Sequence, residues 1–372
     1  MAAYYHSAYR VRGLGILSSS PDAKLLIANH QHEIEAAIII SDLTVRGLVW
    51  RRPIFTVSSR RMWEPGFFAE RIPWLSPFFR SVNAGPLFGA LGMQPIENEL
   101  NARPFVSVAY MLVQRHGDLD VKDVFMETVR QRFPASVQTL RDLLGAKHFA
   151  LGRARVKLTE LSETYRKEIL ALTREQLDAD LAHFENLQRS GGSIFLTPEG
   201  NYSGDGKLQR FRGALSRLAP HAQIWLAGIS YDPFVGRRLS MLYRVVPAER
   251  DLPLELEVKR VRPVTTSALL ATWLHSNSER EFTLQEARVA VETALASLPG
   301  RLFIDPELRN SPPDMVRRAL EGLLRLGIAQ RRGNRYRLTE TRRHPQFPRT
   351  ADIVEYQVNF HRETLEGAQA SA

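Results

Sequence analysis

An α/β fold over residues 15–265 is what this sequence predicts, on three observations. Short apolar runs of strand character recur along the stretch, helical segments alternate with them, and the composition supports a sizeable core. The 372 residues are 44% hydrophobic and 24% charged, the profile of a globular chain long enough for one large domain and a smaller one.

The elements follow in order. KLLIAN (24–29) is a short apolar strand, and NHQHEIEAAIIISDL then turns helical, with Asn29 or His30 near its start. RPIFTVSS (52–59) is β-branched and aromatic, hence a strand, and PFVSVAYMLV (104–113) is expected to be another. A helical stretch covers roughly 121–189, where Leu172, Leu177, Leu181, Phe184 and Leu187 recur at helical spacing until Gly191 and Gly192 stop it. Its part outside the α/β pattern, about 115–172, reads as a helical insertion. SIFLTPEG (193–200) is a buried strand running into a loop, and GKLQRFRGALSRLAP opens a helix closed by Pro220. AQIWLAGISYD, LSMLYRVVP and LELEVKRVRPV are three further strand candidates. After Pro263 the character changes. EFTLQEARVAVETALASL and SPPDMVRRALEGLLRLGI are amphipathic, and AQRRGNRYRLT forms a hairpin turning at Gly333-Asn334. Residues 266–345 therefore read as a small helical or winged-helix-like subdomain, and 346–372 as a C-terminal tail that frays at its end.

Composition narrows the chemistry. The chain has no cysteine, which excludes disulfides, thiolate-bound zinc and a covalent acyl-cysteine intermediate. No apolar run reaches the roughly 18 residues needed to span a bilayer, and MAAYYHSAYRVRGLG lacks the apolar core of a secretory leader. The formal net charge is +10, with arginine far outnumbering lysine, a surface suited to anionic partners. Residues 62–92 mix Trp63, Phe67, Phe68, Trp74, Phe78 and Phe79 with Arg71 and Arg80, after Arg60 and Arg61. That mixture suits either a membrane interface or a cover for the sheet.

Two segments carry chemistry. In Asn29-His30-Gln31-His32-Glu33-Ile34-Glu35, a histidine at a strand end lies close to carboxylates. An imidazole titrates near neutrality and can take a proton from a hydroxyl, while a carboxylate on its other nitrogen fixes the tautomer. Five residues turn a helix through about 140°, so His30 and Glu35 meet only if His30 precedes the helix. His32 and Glu35, three apart, would share a helical face directly. The second segment is Phe195-Leu196-Thr197-Pro198-Glu199-Gly200, followed by Asn201, Tyr202, Ser203, Lys207, Arg210 and Phe211-Arg212-Gly213. A strand running into Pro-Glu-Gly sets a carboxylate at the sheet edge where open α/β sheets bind ligands, with basic residues beyond it.

Together the two segments resemble the glycerolipid acyltransferase superfamily, which includes bacterial glycerol-3-phosphate and lysophosphatidate acyltransferases. Its first motif is His-x4-Asp, often after Asn; His30 takes the His position and Glu35 the acidic one. Its Pro-Glu-Gly motif is matched by Pro198, Glu199, Gly200, Asn201 and Ser203, and the downstream segment by Phe211 to Gly213. IWLAGISYD resembles the family's fourth block, and Asp352 to Asn359 loosely resembles the tail of its larger members. The likeness covers about residues 22–60 and 175–235. Tyr202 stands where the family usually has Arg, and Met93 to Asn98 lacks the Arg that usually ends the second motif, though Arg103 follows.

The resemblance implies a mixed central sheet flanked by helices. It also implies O-acyl transfer from acyl-CoA or acyl-carrier protein to a hydroxyl of a glycerolipid-type acceptor, as in phospholipid biosynthesis. His30 would be the general base and Glu35 its orienting carboxylate, with no cofactor and no metal. Pro198, Glu199, Gly200, Asn201, Ser203, Lys207, Arg210 and Arg212 would bind substrate, with Glu199 contacting the acceptor. Amides near the start of the helix after Asn29 would face the oxyanion. The expected partners are the acyl thioester, the lipid acceptor and an anionic membrane surface, with the chain peripheral on its cytoplasmic face. Nucleic acid is not expected. The rival readings are a catalytically degenerate lipid- or partner-binding protein, and nucleic-acid binding through Arg331, Arg332, Arg335 and Arg337 of the hairpin.

Overall fold

The computed structural model describes residues 9–15, 17, 22–32, 34–45, 53–64, 67, 82–249 and 252–370. The strands are β1 (Tyr9–Leu14), β2 (Lys24–Ala28), β3 (Ile54–Ser59), β4 (Met93–Ile96), β5 (Ala102–Pro104), β6 (Arg155–Lys157), β7 (Ser193–Leu196), β8 (Gln223–Asp232), β9 (Leu239–Pro247), β10 (Phe282–Thr283), β11 (Ala329–Arg332) and β12 (Arg335–Leu338). The main helices are α1 (Glu35–Val45), α2 (Phe105–His116), α3 (Leu140–Leu144), α4 (Glu163–Arg189), α5 (Ala214–Leu218), α6 (Leu254–Val261), α7 (Thr266–Ser276), α8 (Leu284–Ala296), α9 (Pro306–Asn310), α10 (Pro312–Arg325) and α11 (Ile353–Gln369).

The expected α/β class is present. Seven strands form a mixed sheet in the order β1-β9-β8-β2-β7-β3-β4. β2 runs parallel to β7 and β8, β3 to β7 and β1 to β9, whereas β8 and β9 are antiparallel. β2 and β7 are buried at every position, which is why both read as unbroken apolar runs.

Two compact units divide the chain, Met1–Thr56 with Leu187–Ala372, and Val57–Asn186. In the first, the sheet residues Leu26, Ile229 and Met241 share one core with Leu270, Leu320 and Leu323 of α7 and α10, and with Val354 and Tyr356 of α11. Residues 266–345 thus pack into the same core as the sheet. Within them β10, β12 and β11 make a small antiparallel sheet, and Gly333, with φ 59°, turns the hairpin where expected. The second unit has its own core, built on Phe105, Val108, Leu112, Phe125, Leu140, Leu143 and Ile169. Of the aromatics in 62–92, Trp63, Phe67 and Phe88 are described, and Phe88 packs against the other two at 5.5 and 6.2 Å. Phe68, Trp74, Phe78, Phe79, Arg71 and Arg80 lie outside the described residues. Arg103, the basic residue after β4, is buried against Glu97 at 2.6 Å and Thr173 at 3.1 Å, a structural ion pair.

Several expectations are corrected. PFVSVAYMLV is helix α2: its buried residues Phe105, Val108, Ala109 and Leu112 follow the helical period despite the β-branched content. LELEVKRV is helix α6, where Glu255 and Glu257 in the first turn and Lys259 and Arg260 in the last suit the helix dipole. The stretch from 121 is continuous helix only from Glu163; Pro134 and Gly145 fall among short turns before it. The helix expected over 206–220 is confined to Ala214–Leu218, because the main chain at Gln209 and Arg212 is bonded to Glu199 and Pro198 instead.

The largest correction is at the C-terminus. Residues 353–369 are a 17-residue helix, not a tail, and Ile353, Val354, Tyr356, Val358 and Phe360 are buried. Each such side chain contributes about 1.5–3 kcal/mol on burial, so their sum rivals the roughly 5–15 kcal/mol that holds a typical domain folded. A chain ended at Ala351 is therefore expected to lose cooperative thermal unfolding and to expose apolar surface to a hydrophobic dye. A melting curve like that of the full chain would show α11 to be dispensable.

Candidate active site

The site begins where β2 ends. Asn29 extends the β2–β8 pairing with its side chain: Nδ2 donates to the Ile229 carbonyl at 3.0 Å, and Oδ1 accepts from the Ile229 amide at 2.8 Å. This fixes the chain one residue before His30. Because α1 starts only at Glu35, residues 30–32 precede the helix, and His30 is free to turn back onto Glu35. His30 Nδ1 lies 2.8 Å from Glu35 Oε2. The Glu35 side chain has no solvent exposure, whereas that of His30 retains 18%.

Glu35 is fully committed. It accepts from the Gln31 amide at 2.9 Å and the His32 amide at 3.0 Å as well as meeting His30. The pairing of His32 with Glu35 that helical spacing favours is not formed by the ring; His32 Nε2 meets the Gln346 carbonyl at 3.0 Å. With Nδ1 on the carboxylate, His30 presents Nε2 as its remaining ring nitrogen, the arrangement a general base requires.

The Pro-Glu-Gly loop joins the histidine loop directly, although Glu199 and His30 lie 169 residues apart. Glu199 Oε1 accepts from the His30 amide at 2.6 Å and Oε2 from the Gln209 amide at 2.7 Å. The resemblance implies acceptor contact for Glu199; here both oxygens are held by main chain, and the carboxylate ties two loops together. Since the amides of His30, Gln31 and His32 all donate to carboxylates, none of the three is left for the oxyanion expected there. Burial raises Glu199 to about 7, opposed by the amides of Gln209 and His30 and by the charge of Arg262.

The other expected residues take distinct places. Pro198 is buried, and its carbonyl accepts from the Arg212 amide at 2.9 Å. Gly200 has φ 71°, and a Cβ there would lie 2.5 Å from the Arg212 guanidinium, so the arginine covers the glycine. Arg212 Nε donates to the Glu199 carbonyl at 3.1 Å, and Asn201, in the amide orientation its neighbours favour, accepts from Arg212 at 3.0 Å. Burial alone lowers the Arg212 pKa. Ser203 donates its amide to the His30 carbonyl at 3.0 Å and its hydroxyl to Asp205 at 2.9 Å. Lys207 and Arg210 are exposed. Tyr202 sets its ring edge-on to His30, 5.8 Å between centroids, and Arg349 lies 3.9 Å over the Tyr202 ring. A cation thus stands beside the position where the motif's arginine is absent, and it comes from another part of the chain.

Sequence reasoning missed the support beneath these loops, which is α11. Tyr356 Oη donates to Gln31 Oε1 at 3.2 Å, Asn359 Nδ2 to the Asp205 carbonyl at 3.0 Å, and Glu363 Oε2 accepts from the Leu208 amide at 2.7 Å. Gly206, at φ 85°, passes so close that a Cβ would lie 2.1 Å from the Tyr356 carbonyl oxygen. Arg262, fully buried, pairs with Glu363 at 3.1 Å and lies 4.5 Å over the Phe360 ring. The segment Asp352 to Asn359 was the only signal of this support. Among the described residues no three His, Asp or Glu are placed to hold a metal ion, and no helix is long and apolar enough to cross a membrane. Compared with known proteins, the chain matches no family model and no curated sequence.

Glu199 has a consequence for stability. Its folded pKa, about 7, exceeds the unfolded value of 4.5, so the folded state holds the extra proton between them and Glu199's contribution declines as pH rises through that window. His344 and His361, held neutral by burial down to about 4, act in the opposite sense below 6.5. Comparison with Glu199→Gln cancels the histidines. The stability difference, wild type minus variant, is expected to fall between about pH 5 and pH 8 in urea unfolding; a difference that rises or stays flat would show Glu199 ionising normally.

Proposed function

We propose that this chain transfers an acyl group from a thioester, acyl-CoA or acyl-carrier protein, to a hydroxyl of a glycerolipid-type acceptor, on a glycerolipid acyltransferase-like fold. The observation that carries the reading is the pair of His30 Nδ1 and buried Glu35 at 2.8 Å, set at the C-terminal edge of a parallel strand beside the Pro-Glu-Gly loop.

His30 Nε2 takes the proton of the acceptor hydroxyl as its oxygen attacks the thioester carbonyl. Glu35 holds the tautomer and stabilises the imidazolium. The C–S bond then breaks, and the thiolate leaves with little acid assistance, since thiols ionise near ~8.5; the imidazolium returns the proton to it or to water. No covalent enzyme intermediate is needed, which agrees with the absence of cysteine. Arg212 and Arg349 place two guanidiniums around the histidine and Pro-Glu-Gly loops, and neither forms an ion pair among the described residues. Planar bidentate donors of this kind suit a phosphate on the acceptor or the donor. A lipid acceptor would put the protein at the cytoplasmic face of a membrane.

The test is thiol release from palmitoyl-CoA or an acyl-carrier thioester with a panel of lipid hydroxyl acceptors. Loss of a general base lowers rates by about 10²–10⁴, and His30→Ala is expected to show that loss with its circular dichroism unchanged. A folded His30→Ala protein with near-wild-type turnover, or acceptor-independent release, would overturn the reading. Arg349→Ala is expected to raise the KM of a phosphate-bearing substrate by about tenfold or more with kcat little changed, the signature of lost ground-state binding.

A further inference from the structure

The hairpin of β11 and β12 carries Arg331, Arg332, Arg335 and Arg337 and no acidic residue. Strand pairing sorts them. Ala329 opposite Leu338 and Arg331 opposite Tyr336 lie on one face, and Gln330 opposite Arg337 and Arg332 opposite Arg335 on the other. On the first face Arg331 is tied down: its guanidinium lies 5.6 Å over the Tyr336 ring and Nε donates to the Gly333 carbonyl at 2.8 Å. On the second face Arg332, Arg335 and Arg337 are exposed, and none forms an ion pair among the described residues. Glu286 feels the charge of Arg335, but its carboxylate is bonded to the Thr283 amide and hydroxyl and to Arg280.

Arg332 and Arg335 therefore stand directly across the ladder as like charges, an arrangement that destabilises a hairpin. One carboxylate at either position would relieve it. An anionic partner would relieve the repulsion, and a row of planar guanidiniums matches phosphate oxygens.

The neighbouring helix decides between phosphate-bearing partners. On the exposed side of α10 the carboxylates of Asp314 and Glu321 point outward and pair with Arg317, while Arg325 donates to the Gly236 carbonyl. Its other side is seated against the loop after β8, where a Cβ on Gly322 would lie 1.7 Å from the Phe234 carbonyl oxygen. Outward carboxylates on that helix oppose the phosphate walls of a nucleic-acid groove. The flat hairpin face carries no such acid. We propose that Arg332, Arg335 and Arg337 form a docking face for an anionic phospholipid surface, an inference independent of the acyl-transfer reading.

The full chain is sedimented with phosphatidylcholine vesicles, with and without phosphatidylglycerol. Binding is expected only with the anionic lipid, weakening as salt rises. Arg332→Glu, which sets a carboxylate opposite Arg335, is expected to raise the thermal midpoint while weakening partition about tenfold or more. Arg337→Gln, away from the like-charge pair, should weaken it less. Partition that is equal on both vesicle types, or unchanged in Arg332→Glu, overturns the proposal. So does salt-sensitive binding to duplex DNA with none to vesicles, which would restore a nucleic-acid role for the hairpin.

Discussion

A carboxylate with no access to water must find all its partners inside the fold, and Glu35 does so within six residues of chain. It accepts from two successive amides and meets the His30 ring, and those bonds dictate the shape of the loop between β2 and α1. Unpaired, that charge would cost several kcal/mol. The bonds that retain it also hold the imidazole with one nitrogen inward. Stability and the geometry of the proposed base are therefore the same set of contacts. The loop is wrapped on the Glu35 side chain, whose length lets one carboxylate reach two amides and the ring.

The remainder of the site is a set of struts that converge on this loop. Asn29 anchors its start to β8, Glu199 fastens the Pro-Glu-Gly loop to the His30 amide, and Tyr356 braces Gln31 from α11. Arg262 adds a buried positive charge behind Glu363, which itself caps the Leu208 amide. Arginine appears in this molecule in two roles. Arg103, Arg262 and Arg12, which grips Asp305 through two bonds of 2.6 Å, are buried or half-buried partners of carboxylates. Arg212, Arg349 and the outer hairpin arginines are not. Composition alone cannot tell these populations apart, because the distinction lies in whether a carboxylate from a distant segment arrives.

The same dependence on distant segments limits what the sequence reveals. The strands β2, β7, β8 and β9 are legible because each is an apolar run largely covered on both faces, and the His30–Glu35 and Pro-Glu-Gly segments because their residue types are unusual at strand ends. Two helices resemble strands where local content competes with period: Val, Phe and Tyr in α2, and Leu-Glu alternation in α6. The role of Glu199 is not legible, since a carboxylate that binds substrate and one that clamps two amides look alike in sequence. The contribution of α11 is hidden for a different reason. Its polar residues Asn359 and Glu363 act through single bonds to main chain 154 and 155 residues away, and such bonds impose no pattern on the segment they reach.

The placement of α11 also bears on how the protein comes into being. The His30 loop lies near residue 30 and the helix that braces it ends at Gln369. During synthesis the histidine leaves the ribosome well before its brace, since Tyr356 follows Gln31 by 325 residues. Contacts of such sequence separation are slow to form, and β2 has no strand neighbour until β7 and β8 are made. Until α11 is made, the loop that holds His30 lacks the bond from Tyr356 to Gln31. The loop would gain its brace in a single late step, once α11 has been made.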